Sequence, residues 1–333
     1  MFVGSAVSAF SIMTTILSWR RECLGRLLLV AWTLFSTSTE VKSLSLEQTT
    51  TKPIVHVASS SFSAHDDDSS PASIGLYVHI PFCRRRCRYC DFAIVPIGNH
   101  NQQPNNKNDL LQQQRLFDSY TQAVEQEIRS FTMPNDNTVT LDTIYFGGGT
   151  PSLAPLSMIQ TIVEAIRQTF ALASNLEFTM EMDPGTFDRK QLQGLRQLGV
   201  NRISLGVQSF DDSVLEYLGR FHRRKDIDSS IELLHDVYGP NCNYSIDLIA
   251  SLPGVSLADW CTTLATAVRL NPSHISVYDL TIEAGTVFGK WYGTYDENDN
   301  LKSPKVSSPS SATTTRPLPS PEESAFQYQY TSG

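Results

Sequence analysis

The chain has 333 residues, 41% of them hydrophobic and 18% charged, the make-up of a globular protein long enough for a barrel-sized core. A formal net charge of −8 argues against non-specific nucleic-acid binding. Six cysteines, isolated except for one cluster, exclude a disulfide framework and point to a reducing compartment.

Residues 1–45 hold few acids (Glu22 and Glu40) against Arg20, Arg21, Arg26 and Lys42, with many Ser and Thr and short apolar runs at 10–17 and 27–35. Neither run is long enough for a stable membrane span, and the composition predicts a removable targeting peptide for the mitochondrion or, alternatively, a plastid. A secretory signal competes, because a basic flank precedes the apolar part of 20–35. Without any targeting signal the protein stays in the cytoplasm. Residues 46–73, rich in Ser, Thr and Asp and without periodicity, read as a disordered linker.

A strand over 76–80 opens the core, and the stretch 76–92, LYVHIPFCRRRCRYCDF, puts Cys83, Cys87 and Cys90 on the loop after it. Three thiols spaced C-x3-C-x2-C cannot all pair with one another, and their separations are short for unstrained bridges. Zinc wants a fourth Cys or His, but Asp91, Phe92 and Ala93 follow and His79 sits in the strand. Soft thiolates favour iron–sulfur chemistry, and a four-iron cluster on three cysteines leaves one iron open to a ligand. A zinc site completed from elsewhere in the chain, or three packed thiols, are the other readings. Arg84, Arg85, Arg86 and Arg88 lie between the cysteines, either as a solvated loop or as a positive field that favours thiolates and offsets an anionic cluster.

The polar tract 99–108 reads as a disordered insertion, after which helix and strand patterns alternate. Helices are expected at 112–131, 155–170, 189–198, 211–218, 225–237 and 257–270, and strands at 140–146, 176–182, 202–207, 243–250 and 274–280. Together with 76–80 this makes about six β/α units, and an α/β fold with parallel strands: a partial, open TIM-type barrel spanning 74–295. A Ser/Pro/Thr-rich, low-complexity insert covers 296–319. At 320–323, Ser-Pro-Glu-Glu has the form of an N-cap, a first-position proline and two first-turn acids. Residues 320–333 are therefore expected to begin a further C-terminal region, cut short here; a cap-like tetrapeptide in a disordered tail is the alternative.

In parallel α/β folds ligands gather at the carboxyl ends of the strands. There the sequence places Gly147, Gly148, Gly149 and Thr150, then Glu181 and Asp183, Gln208 and Ser209, Arg220 and Thr281, with Asp247 inside its strand. The glycines give bare backbone to a ligand or form only a tight turn. Asp183, before Pro184, reads as a turn residue. Asp247, flanked by Tyr244, Ile246, Leu248 and Ile249, calls for a ligand or an arginine partner.

The cysteine stretch resembles the signature of the radical S-adenosylmethionine (SAM) superfamily. With YFGGGTPSL, EMDPGT, GVNRISLGVQSFDDSVLEYLGRFH, IDLIASLPG and LNPSHISVYDLTIEAGTVFGK in order, the run from 74 to about 291 resembles the oxygen-independent coproporphyrinogen III oxidase family, most closely its heme-chaperone branch. The resemblance implies that Cys83, Cys87 and Cys90 ligate a 4Fe-4S cluster whose fourth iron is chelated by SAM. It places Tyr77, Tyr89, Gly148, Gly149, Thr150 and Glu181 at SAM, and Gln208, Arg220, Asp247 and Thr281 around a second ligand position. One-electron reduction of the cluster then cleaves SAM to a 5′-deoxyadenosyl radical. The oxidase branch carries a further cysteine where Phe92 stands, so the resemblance implies a heme chaperone before a porphyrinogen decarboxylase. Ser251 replaces the usual glycine of IASLPG, and the HNxxYW-like motif that the chaperone branch links to heme is absent. The implied partners are heme or a porphyrinogen, heme-accepting proteins and an electron donor for the cluster. An iron–sulfur protein that keeps SAM but neither activity is the third reading.

Overall fold

Each helix returns the chain to the same edge of the sheet, so the strands add in sequence order without a reversal. The computed structural model describes residues 55–60, 73–98, 107–131, 139–295, 301–302 and 315–332. The seven-stranded sheet runs β1 (Val55–Ser60), β2 (Ser73–Ile80), β3 (Thr140–Gly148), β4 (Ala171–Met182), β5 (Arg202–Gln208), β6 (Tyr244–Ala250) and β7 (His274–Asp279). β1 is antiparallel to β2, and every other pairing is parallel. The helices are α1 (Lys107–Arg129), α2 (Leu156–Thr169), α3 (Arg189–Gln197), α4 (Asp212–Leu218), α5 (Arg224–Tyr238), α6 (Leu257–Arg269), α7 (Val287–Tyr292) and α8 (Pro321–Ser332). Six parallel strands, β2 to β7, each preceded or followed by a helix, give the open TIM-type barrel read from the sequence.

The pleat separates two chemistries. Alternate residues face opposite sides of a strand. One side, with Val78, Phe146, Met180, Leu205 and Ile246, packs with Ile162, Leu195, Leu234 and Trp260 of the helices in a single buried cluster. The other carries Tyr77, Tyr145, Glu181, Ser204 and Asp247, bonded to one another across strands. Each apolar side chain removed from water stabilises the folded state by about 1.5–3 kcal/mol. The polar side is shaped for something other than stability.

The structure differs from the expectations at the ends of the core. The tract 46–73 contains β1, in register with β2 from Val55 opposite Val78 to Ser60 opposite Ser73, so it is not wholly a linker. α1 starts at Lys107, inside the polar tract 99–108. Residues 1–45, and with them the expected targeting peptide, lie outside the described residues, as do 303–314 of the insert. No helix among the described residues is long and apolar enough to cross a membrane.

The segment 315–332 folds onto the barrel. Ser320 and Glu323 form the reciprocal cap that the sequence announces, with Glu323 N–H donating to Ser320 Oγ at 3.1 Å and Ser320 N–H to the Glu323 carboxylate at 2.8 Å. α8 then docks through one polar residue. Gln327 is 0% exposed; its Oε1 accepts from Ser251 N–H at 2.8 Å, its Nε2 donates to Val255 O at 3.3 Å, and its carbonyl accepts the Trp260 indole N–H at 3.1 Å. Ser251 holds a positive φ of 57°, the strained turn that a glycine would have entered freely. Gln327→Ala strands the buried Ser251 amide and is expected to cost about 1–3 kcal/mol. Urea unfolding checks this, and an unchanged midpoint removes α8 from the folded core.

Candidate functional site at the carboxyl ends of the strands

Phe82 anchors the cysteine loop. It is fully buried, with its ring edge-on to Phe117 at 4.7 Å and to Tyr120 at 5.2 Å from α1. Cys83 follows, and the loop folds back when Val95 N–H donates to Pro81 O and Ile97 N–H to Cys83 O, both at 2.8 Å. A tight turn closes the far end, where Cys90 N–H donates to Cys87 O at 3.3 Å.

The four arginines staple this loop in place. Arg84 Nη2 donates to Gly185 O at 2.9 Å, Arg86 Nη1 to Phe92 O at 2.9 Å and Arg88 Nη1 to Tyr217 O at 2.9 Å. Arg85 donates to Gly219 O at 2.8 Å and lies 4.2 Å over the Phe221 ring. All four bond to carbonyls, so their charge is not cancelled by these contacts and the positive field beside the thiols persists.

The three thiols are free and half-buried. Cys83 Sγ lies 3.5 Å from Thr150 Oγ1, and Arg220 Nη1 points at Cys87 Sγ from 3.8 Å. Burial pushes the Cys83 thiol up to about 12, the Thr150 bond pulling it back slightly and Asp183, Cys87 and Cys90 adding to the rise. Burial likewise raises Cys90, against the pull of the Phe92 amide and of Arg86. Ionising Cys83 and Cys90 without a bound cation is unfavourable. Among the described residues no three Cys, His, Asp or Glu side chains converge tightly enough to hold a single metal ion. A four-iron cluster takes each thiolate on a separate iron and does not require that convergence. The donor set therefore fits such a cluster better than zinc.

Beside the loop lies a basin of acids with one buried cation. Arg220 forms an ion pair with Asp183, donates to Gly206 O at 2.9 Å and is itself buried. Asp183 also accepts from Thr150 Oγ1 at 3.3 Å. The turn read at Asp183 is present, Thr186 N–H donating to Asp183 O at 3.2 Å, but the carboxylate has a further role that the proline beside it did not signal: it pairs with an arginine that is distant in sequence. Glu181 accepts from Tyr145 Oη at 2.8 Å and Gly148 N–H at 2.9 Å. Burial drives Glu181 up to about 7, those two bonds opposing and Asp247 and Asp183 adding to the rise. Asp247 is raised chiefly by burial. Its Oδ2 accepts from Ser204 Oγ at 2.6 Å, while its buried Oδ1 has no hydrogen-bond partner. Of the expected ligand or arginine partner, the structure supplies Arg202 only as a nearby charge, with Ser204 as the direct partner and Ser276 close by, and the oxygen without a hydrogen bond is an acceptor for a ligand's donor.

Tyr77 stacks on Tyr145 with ring centroids 5.9 Å apart, and Tyr89, its hydroxyl raised by burial, stands near Arg220, Cys87 and Cys90. The glycine turn does something the sequence did not announce. Gly148 N–H goes to Glu181, Gly149 N–H to Ile80 O at 2.8 Å and Thr150 N–H to Phe82 O at 2.7 Å. These amides hold the cysteine loop and are not free for a ligand. Gln208 ends β5 with a positive φ of 66°. Thr281 is exposed after β7 and shares no hydrogen bond with the others among the described residues. Tyr145 and Ser204 were missed by sequence reasoning; their position on the polar side of the sheet, two residues from Gly147 and Gly206, was the available signal.

A parallel open barrel with a three-thiol loop at its ligand end defines a class of iron–sulfur protein. The signature of the Radical SAM superfamily matches residues 77–267, and the chain belongs to that superfamily. It is 43% identical over 215 residues to a protein of Synechocystis named "Heme chaperone HemW", across 65% of this chain and 49% of that one. It is 30% identical over 229 residues to the bovine "Radical S-adenosyl methionine domain-containing protein 1, mitochondrial", across 66% of this chain and 48% of that one. Among solved structures, coproporphyrinogen III oxidase (HemN) from Escherichia coli superposes with a TM-score of 0.57 at 25% identity, over 77% of this chain and 50% of the other. The chain spans about half the length of the curated relatives it matches.

A methyl group on Gly149 would lie 2.6 Å from the Pro81 carbonyl carbon and oxygen and 2.9 Å from Ile80 O, all backbone atoms. Gly149→Ala is therefore expected to cost about 1–3 kcal/mol and to shift the cysteine loop. Thermal unfolding, together with iron retained after anaerobic reconstitution, measures both effects.

Proposed function

We propose that the chain holds a 4Fe-4S cluster on Cys83, Cys87 and Cys90, binds SAM beside it, and serves in heme handling as a chaperone that binds heme and passes it to an acceptor. The observation that carries the first part is the arginine-stapled three-thiol loop facing the acid basin of Glu181, Asp183 and Asp247. When bound, the cluster supplies a one-electron reductant for SAM. The chain's own residues receive the ligand. Tyr77 and Tyr89 provide walls, Gly148, Gly149 and Thr150 fix the loop against the strand ends, and Glu181 and the free oxygen of Asp247 accept hydrogen bonds from donors. Gln208, Arg220 and Asp247 border the second ligand position; Thr281, exposed in the loop after β7, is assigned to it by the family resemblance alone.

The heme part rests on the names of the relatives and on Phe92, which stands 53% exposed where the oxidase branch has a cysteine. The likeness to the oxidase structure supports the second reading, a coproporphyrinogen III oxidase. The mitochondrial name of the bovine relative supports import into that organelle.

In anaerobically reconstituted protein, Cys87→Ala is expected to abolish the four-iron absorption and its response to SAM; retention of both overturns the central assignment. Heme titration is expected to give a saturable complex, and incubation with reductant, SAM and coproporphyrinogen III no protoporphyrinogen. Rapid product formation selects the oxidase instead.

The acid basin gives SAM binding a pH dependence. SAM carries a sulfonium and an ammonium, which favour ionised Glu181 and so lower its raised pKa. Below about 7, binding must expel the Glu181 proton; above it no proton is lost. Affinity should therefore rise with pH up to about 7 and then level, the slope approaching one decade per unit for one proton. Glu181→Gln should flatten the profile, and a slope that survives the substitution assigns the proton elsewhere.

A further inference from the structure

The carboxyl end of β5 contains an irregularity whose repair comes from a different part of the chain. Leu205 pairs with Ile246 and Gln208 with Leu248, so Gly206 and Val207 together stand opposite Asp247. This is a β-bulge, a device that re-aims a side chain and leaves backbone groups outside the ladder. Arg220 Nη2, from the turn after α4, donates to Gly206 O at 2.9 Å; Val207 O accepts from Ser209 N–H at 2.8 Å, closing a tight turn across Gln208, and has His222 Nε2 as a second partner at 3.1 Å. A carbonyl only accepts, so His222 carries its proton on Nε2. The ring is 3% exposed, and burial, with Arg220 nearby, depresses it to about 4, which keeps it neutral.

The residue after Val207 is Gln208, a non-glycine residue at φ 66°. That conformation is unfavourable for a side chain and persists where its surroundings fix it. Its effect is to fold the Gln208 amide back over Gly206, where a methyl group would lie 3.2 Å from Gln208 Nε2, 2.9 Å from Asp183 Oδ1 and 3.4 Å from Arg220 Nη2. The glycine leaves the space that the returning amide and the ion pair occupy.

We propose that His222 is a positioning residue: as the second donor to the Val207 carbonyl, it anchors from another part of the chain the Val207–Ser209 turn that aims Gln208 toward the Arg220–Asp183 pair and into the ligand position. This rests on the reading that the second ligand position, which Gln208 borders, adjoins the SAM bound at the cluster, so that a displaced Gln208 is felt in SAM binding. Arg220 and His222 divide the work, the first contacting the site and the second acting through Gln208.

The test uses the full chain, reconstituted anaerobically, with SAM as the probe read through the cluster spectrum. His222→Ala is expected to leave iron content unchanged, to weaken SAM binding about tenfold or more, and to speed amide exchange in the peptide covering 205–210 by a similar factor. His222→Gln, which retains an N–H donor, should stay within about threefold of the parent in both measurements. In a Gln208→Ala background the effect of His222→Ala on SAM should shrink below about twofold, because the two residues act as one unit. Unaltered exchange, or a loss of SAM affinity that persists undiminished in that background, overturns the proposal. If the parent binds no SAM, the ligand reading fails, and the exchange measurements on His222→Ala and His222→Gln still decide whether His222 anchors the turn.

Discussion

One buried guanidinium ties the site together. Arg220 reaches Asp183 at the end of β4, the Gly206 carbonyl at the end of β5 and the sulfur of Cys87 in the loop after β2. These three segments are far apart in sequence, and no run of backbone hydrogen bonds joins all of them. A buried charge that loses its partner costs about 3–5 kcal/mol, so the ion pair holds its neighbours in register through a large penalty for separation. The turn carrying Arg220 is itself held from outside: Arg85 bonds its carbonyls at Gly219 and Arg220, and Arg223 bonds those of Arg220 and His222.

The same contact sets the electrostatics. Glu181, Asp183 and Asp247 crowd together with Arg220 as the cation bonded directly among them. Asp183 is compensated by it, whereas Glu181 and Asp247 are left with raised affinities for protons. The basin therefore has room for a cation, and the neighbouring cysteine loop, lined by arginines bonded only to carbonyls, has room for an anion. A ligand or cluster of matching sign on each side relieves a cost already present in the fold.

The fold was legible because its signals are local and repeated. Strand-like runs and helix-period patterns located the strands and helices, and their repeated alternation implied a parallel sheet before any contact was known. The cysteine spacing, the strand-end position of Glu181 and Gln208 and the acid Asp247 inside its apolar strand were equally plain. What escaped the sequence was pairing. Nothing adjacent to Asp183 indicates Arg220, and the proline beside it suggested a turn. The glycine run looked like exposed backbone, but its amides are consumed by Glu181, Ile80 and Phe82, contacts that exist only once β2, β3 and β4 lie side by side. β1 was hidden for a different reason: Val55–Ser60, VHVASS, is an edge strand set in a polar tract rich in Ser and Thr.

The polar side of the sheet explains why these pairings matter more than the core. A closed barrel of eight strands can fill its interior with apolar layers. Six parallel strands leave that interior open, and here its walls are Tyr77 stacked on Tyr145, the hydrogen-bonded pair Tyr145–Glu181 and the pair Ser204–Asp247, with one buried oxygen of Asp247 lacking a hydrogen bond. An apolar lining would have stabilised the chain more. The sheet instead keeps hydrophobic burial for its helix-covered side and spends the other on groups whose bonding is incomplete until a ligand arrives. That division follows from the alternation of side chains along each strand, so fold and site are two faces of one pattern.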